Sequence, residues 1–152
     1  MEEICFRQAE EDDLERIVEM LADDKLGSGR ETLVYPLPES YRKAFYAIQV
    51  DPNNELIVAE WKNEMVGVQQ LTFTPYLTHQ GSWRATIEGV RIAAHVRGQQ
   101  LGHQLISWAI ERAKKRGCRI VQLTTDNKRE EALRFYEDLG FQATHQGLKL
   151  HL

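Results

Sequence analysis

An α+β domain, built on a mixed, mostly antiparallel central sheet flanked by helices, is the fold class this sequence predicts. Three observations lead there. Two apolar runs, Glu55 to Trp61 and Glu64 to Thr74, are separated only by Lys62 and Asn63, the spacing of a two-residue hairpin. Other stretches carry apolar residues at i, i+3, i+4 and i+7, the period of a helix with one buried face. From Ser82 to Thr124 the chain reads strand, turn, helix, strand, and a helical crossover makes the two strands it joins parallel. An antiparallel first half followed by a β-α-β unit gives a mixed sheet.

The elements follow in order. Ile4 to Gln8 is a short first strand. Glu10 to Asp13 place four acids where a helix's first turn favours negative charge, and Leu14, Ile17, Val18 and Leu21 complete an amphipathic stripe. Gly27, Gly29, Pro36 and Pro38 make 26–38 a loop. Ser40 to Val50 is helical on the spacing of Tyr41, Ala44, Phe45 and Ile48, and Asp51 to Asn54 is turn chemistry. After the hairpin, Ser82 to Ile92 is a long strand. Leu101, Leu105, Trp108, Ala109 and Ala113 give a helix from Gln99 to Arg116, stopped by Gly117. Arg119 to Thr124 suits a sheet interior. Asn127 with Glu130 has the pattern of a helix cap, leading into a stripe of Ala132, Phe135, Tyr136 and Leu139. Phe141 to Leu152 closes as a strand pair or one bent strand. No repeat or linker interrupts the chain, so residues 1–152 form one domain.

Composition narrows the function. A net charge of −4 speaks against sequence-independent nucleic-acid binding, which needs a basic footprint. No apolar run is long enough for a membrane span, and the acidic N-terminus is unlike a signal peptide, so a cytoplasmic protein is expected. Cys5 and Cys118 lack metal or redox spacing, and the five His are scattered, so no metal is expected. The acidic balance leans towards a cationic small molecule as ligand.

The stretch from Glu88 to Arg112 is where chemistry concentrates. A strand running into a helix start presents unpaired N–H groups and the positive end of a dipole, an anion site. Arg97 stands at its mouth, and Gly98 permits close backbone approach.

Taken together, Val90-Arg91-Ile92, then Arg97-Gly98-Gln99-Gln100-Leu101-Gly102, then Phe135-Tyr136 through Gly140-Phe141 resemble the GNAT superfamily of acyl-CoA-dependent N-acetyltransferases. With Arg7 and Ala9 at the opening, the likeness covers nearly the whole chain. It implies two splayed central strands with acetyl-CoA between them. In that picture the Val90-Arg91-Ile92 segment aligns the pantetheine arm, with Val90 and Ile92 bonding through their backbone. The amides of Arg97, Gly98, Gln99, Gln100, Leu101, Gly102 and His103 hold the pyrophosphate. Gln100 stands where the motif has Gly, which is compatible with a negative φ. Many members place an Asn seven residues before the Tyr. Arg129 occupies that position here, and Asn127 is the nearest residue to take the cofactor contact, beside its role as a cap.

The reaction so implied moves protons twice. An ordinary primary amine is neutral in only about one molecule in 2,500 at pH 7, a deficit of roughly 4–5 kcal/mol, so a base must strip it. Glu88, read as sharing a strand face with Val90 and Ile92, resembles the strand carboxylate of some members; pairing with a cation is its structural alternative. Tyr136 matches the family's proton donor to the leaving thiolate, with a core aromatic as the alternative. The acceptor would be an amino sugar, polyamine, amino acid or peptide N-terminus, walled by 26–46 and 74–84 with Tyr35, Tyr41, Tyr46, Tyr76 and Trp83. A homodimer is expected by analogy and from the aromatic strand surface at Gly81 to Ala85. The competing class is a non-catalytic acyl-CoA sensor or transcriptional regulator.

Overall fold

The computed structural model describes residues 3–24 and 26–152. Five strands form one sheet in the order β1-β2-β3-β4-β5: β1 (Cys5–Gln8), β2 (Asn54–Trp61), β3 (Glu64–Pro75), β4 (Trp83–Ile92) and β5 (Cys118–Leu123). The first three pairings are antiparallel and β4–β5 is parallel. Helices α1 (Leu14–Ala22), α2 (Gly27–Arg30) and α3 (Glu39–Val50) precede the hairpin. A single turn, α4 (Thr78–Gly81), links β3 to β4, α5 (Leu101–Lys115) crosses to β5, and α6 (Glu130–Asp138) follows. The mixed sheet and its hairpin are as the alternation implies. Lys62 and Asn63 take φ of 53° and 60°, the left-handed pair that a two-residue hairpin matches to strand twist.

One face of the sheet packs on α5: Ile57, Leu71, Phe73, Ala85 and Ile87 meet Ile106, Ala109 and Ala113, all nearly inaccessible. Gln69, fully buried among them, donates its amide to the Leu105 carbonyl at 3.0 Å and ties β3 to that helix. On the other side α1 buries Ile17 and Met20 against Val58 and Val68, while Leu14 and Val18 pack with Phe45 of α3. Arg7 of β1 binds Asp13 bidentately at 2.7 and 2.9 Å and reaches Glu60 of β2 at 2.7 Å, fixing the first strand to the head of α1.

Three expectations need correction. The crossover helix starts at Leu101 rather than Gln99, because Gly98 and Gln100 both take left-handed φ and the backbone cannot be helical through them. Asn127 does not cap the last helix. The Asp126 carboxylate accepts the Lys128 N–H at 2.9 Å and its carbonyl accepts the Arg129 N–H at 2.9 Å, so a tight turn uses up those residues and α6 begins at Glu130. Residues 142–152 form no strand; they are exposed throughout, with Leu148, Leu150 and Leu152 solvated. Alternation alone does not make a strand when no neighbouring edge pairs with it. The 26–38 loop also holds the short α2.

Candidate active site

β4 organises the site because its two edges end at different places. Towards β3 it pairs from Pro75–Trp83 to Gly67–Ile92, whereas towards β5 its pairing stops at Ile87–Leu123. From Glu88 to Ile92, therefore, one edge of the strand has no strand beside it. A cleft opens there between β4 and β5, bordered by backbone donors and acceptors that in a closed sheet would be spent on the ladder.

A bulge sits at the point of parting. Glu88 pairs with Gln70 and Arg91 with Val68, so Gly89 and Val90 together oppose Gln69. Gly89 accommodates the extra residue at φ 62°. Because Gln70 and Val68 are two apart on β3, Glu88 and Arg91 share one face of the sheet, and Val90 and Ile92 take the other. The strict alternation that put Glu88 with Val90 and Ile92 fails here: one inserted residue inverts the phase of everything after it.

The turn expected to cradle an anion lies at the end of β4. Ala94–Val96 makes a 3-10 turn, Gly98 turns the chain at φ 85°, and Gln100 caps α5 at φ 62°. Gln100 thus occupies the left-handed region, contrary to the negative φ expected, because the chain must still reverse to bring the first amides of α5 round. Nothing lies within 4 Å of where a Cβ on Gly98 would stand, so its backbone is open to approach. Leu101 anchors the helix start in the core, and Gly102 lets α6 close in: a Cβ there would stand 3.1 Å from the Phe135 ring. His103 meets Phe135 edge-on. Arg97 and Gln99 are exposed, and Arg97 Nε donates to the Ile92 carbonyl at 3.2 Å. The Val90 carbonyl likewise accepts from Arg91 at 2.8 Å.

Tyr136 comes next to Phe135, on the helix that leans against the cradle, and stacks edge-on with Phe135 and Phe141. It is half-buried, and desolvation pushes its phenol above the ordinary value, with Arg91 and Arg129 pulling the other way. The hydroxyl stays protonated across the neutral range and is a donor. Glu88 is exposed, and its carboxylate makes no ion pair or hydrogen bond among the described residues. Asn127 is exposed in the turn before α6.

Two groups escaped the sequence reading. One is a polar row on the Glu88 face of the sheet: Asn54 accepts from Gln70 and Thr72, Gln122 donates to Thr86, and Arg84 donates to Gln122. Its signal was legible, since Gln70, Thr72 and Thr74 alternate with buried residues on β3, as Arg84, Thr86 and Glu88 do on β4. The other is a charged cluster that only folding assembles: Asp24 after α1, Arg30 on α2, Arg91 on β4, and Asp126 and Arg129 before α6. The aromatic residues expected as a wall have separate duties. Tyr35 donates to Glu19, Tyr41 to Glu31, and Tyr76 lies under the Arg84 guanidinium. A hollow of ≈ 240 Å³ lined by Phe6, Ile57, Trp108 and Arg112 is on the α5 side, away from the cleft.

The chain matches the acetyltransferase (GNAT) family over residues 14–141. It is 34% identical over 107 residues to the aminoalkylphosphonate N-acetyltransferase of Salmonella typhimurium, covering 70% of this chain and 69% of that one. It is 35% identical over 88 residues to the glucosamine 6-phosphate N-acetyltransferase of Trypanosoma brucei brucei, 58% of each. Among solved structures, a protein of Bacillus halodurans C-125 described as a transcriptional regulator superposes with a TM-score of 0.96 at 61% identity, covering 99% of this chain and 100% of that one. With the parted strands, the cradle and these likenesses in hand, the chain belongs to the acetyltransferase (GNAT) family and is an acetyl-CoA-dependent acyltransferase.

Proposed function

We propose that the protein transfers an acetyl group from acetyl-CoA directly to a primary amine on a small molecule, both substrates being bound together. The observation that carries this reading is the parting of β4 from β5 beyond Ile87 and Leu123, with the α5 cradle at its end and Tyr136 beside it. Acetyl-CoA supplies the activated thioester. The amides from Arg97 to His103 hold its pyrophosphate, with Gly98 giving the access. The free edge at Val90, Arg91 and Ile92 receives the pantetheine arm, where the side chains of Arg91 and Arg97 now occupy the Val90 and Ile92 carbonyls. Asn127, exposed on the turn that leads into α6, is the weakest of the cofactor contacts.

Glu88 accepts the ammonium proton, directly or through water; its exposed, unpaired carboxylate suits that role. Tyr136 donates to the sulfur as negative charge develops there. A phenol of raised pKa is a weaker acid than a thiol, so stabilising the charge by hydrogen bonding is its larger service. The relatives' names, for an aminoalkylphosphonate and a sugar phosphate enzyme, support a small-molecule acceptor.

Thiol release from acetyl-CoA, measured over a panel of small amines, tests the reading. Tyr136→Phe is expected to lower kcat about 100-fold with the affinity for acetyl-CoA nearly intact. Because the phenol is shifted upward, no alkaline loss of rate attributable to Tyr136 is expected below pH 10. Unchanged turnover in the variant removes Tyr136 from the mechanism. A second reading, an acyl-CoA sensor acting on transcription, has one observation behind it, the description of the Bacillus halodurans protein. Acetyl-CoA binding without thiol release from any amine would favour it.

A further inference from the structure

Three guanidiniums gather on the face of the sheet that carries Glu88. Arg129 Nη1 lies 2.9 Å from the Asp24 carboxylate, and Arg91 Nε lies 3.4 Å from the same oxygen. Arg30 binds Asp126 at 2.7 Å. Glu31 also acts on Arg91 while accepting the Tyr41 hydroxyl, so the three guanidiniums face three carboxylates. One carboxylate, Asp24, thus serves two guanidiniums and also accepts the Gly27 N–H.

Arg91 is the least satisfied of the three. Its side chain is 14% exposed, and its buried Nε has no hydrogen-bond partner. A buried cation is costly unless it is paired and fully hydrogen-bonded. Desolvation accordingly holds its pKa below the ordinary value, against the pull of Asp24. Arg91 and Arg129 both act on the Tyr136 phenol, and Arg91 shares a face of β4 with Glu88, so two guanidinium forks held by one carboxylate stand beside the candidate reacting groups.

Resting on the acetyltransferase reading above, we propose that Arg91 and Arg129 bind a phosphate or phosphonate carried by the acceptor amine. The choice of anion follows from charge. A carboxylate arriving between the two forks would only replace Asp24, one monoanion for another. A phosphate or phosphonate brings about two negative charges at pH 7 and three oxygens, enough for both forks without evicting Asp24. Spacing sets the size of the molecule. Glu88 and Arg91 oppose residues two apart on β3, about 7 Å along the strand. An amine at Glu88 and an anion at Arg91 are then separated by a few bonds, as in a compact aminophosphonate or amino-sugar phosphate.

The test compares 2-aminoethylphosphonate, β-alanine and ethylamine, which differ only in carrying a phosphonate, a carboxylate or neither. The expected kcat/KM for the phosphonate exceeds both others by about 30-fold, and Arg129→Gln, at a partly exposed position, reduces that ratio to about 3-fold or less. Equal values for the three amines, or a preference for β-alanine, overturn the proposal while leaving acetyl transfer intact. If no amine is turned over, calorimetry of 2-aminoethylphosphonate against the CoA-saturated protein decides. Binding that weakens about 10-fold or more in Arg129→Gln supports the anion site and sinks the transferase reading instead. No binding, or binding indifferent to Arg129, overturns the site.

Discussion

The two halves of β4 invite comparison, since they are one strand with two different surroundings. From Trp83 to Ile87 it is paired on both edges, and its inward residues Ala85 and Ile87 are 1% and 2% exposed. From Glu88 to Ile92 it is paired on one edge only, and Glu88 and Gly89 are exposed. The first half holds the sheet together. Among the described residues the second half has no ladder on its outer edge, and the Val90 and Ile92 carbonyls accept from the Arg91 and Arg97 side chains. Gly89 is the boundary, and its bulge turns Glu88 and Arg91 to one face where a regular strand would have opposed them.

The comparison can be broken at each side. Ile87→Ala in the paired half should cost about 3 kcal/mol of stability by denaturant unfolding, with activity per folded molecule close to normal, whereas Glu88→Gln one residue later should leave stability within about 0.5 kcal/mol and lower kcat about 10- to 100-fold. A stable Ile87→Ala, or a destabilised and fully active Glu88→Gln, would erase the division. Gly89→Ala tests the boundary. No atom blocks its Cβ closer than Leu21 Cδ2 at 3.9 Å, so the cost is backbone strain alone, about 1–2 kcal/mol. Activity should fall further than that loss of stability explains, because Glu88 and Arg91 lose their common face; equal losses would make the bulge merely structural. The smallest effect belongs to Gln100→Gly. Relieving a left-handed Gln should raise stability by about 0.5–1 kcal/mol with the acetyl-CoA KM no worse, and a destabilised variant would show that the Gln side chain matters to the cradle.

Much of the fold was legible because periodicity is a local property. The hairpin, the amphipathic helices and the β-α-β crossover all follow from spacing along the chain. The cradle was legible for the same reason, as a strand running into a helix start. Gln100 and Asn127 were misread where local chemistry had two solutions. A turn set by Gly98 fixed the first, and the Asp126 turn displaced the second. Residues 142–152 alternate like a strand, yet a strand also needs an edge, and alternation carries no information about one.

The sequence by itself determined the class of fold, the order of the main strands and helices as far as α6, and the candidacy of the Arg97 to His103 turn, Tyr136 and Glu88. Each depends on residues close together in the chain, where hydrogen-bond geometry and side-chain period act. Only the tertiary structure decided which face Glu88 takes, where β4 and β5 part, and that Arg91 and Arg129 share Asp24. Those facts depend on register and on contacts between α1, β4 and the turn before α6. Charges far apart in sequence meet in space, and a single bulge decides which way they point.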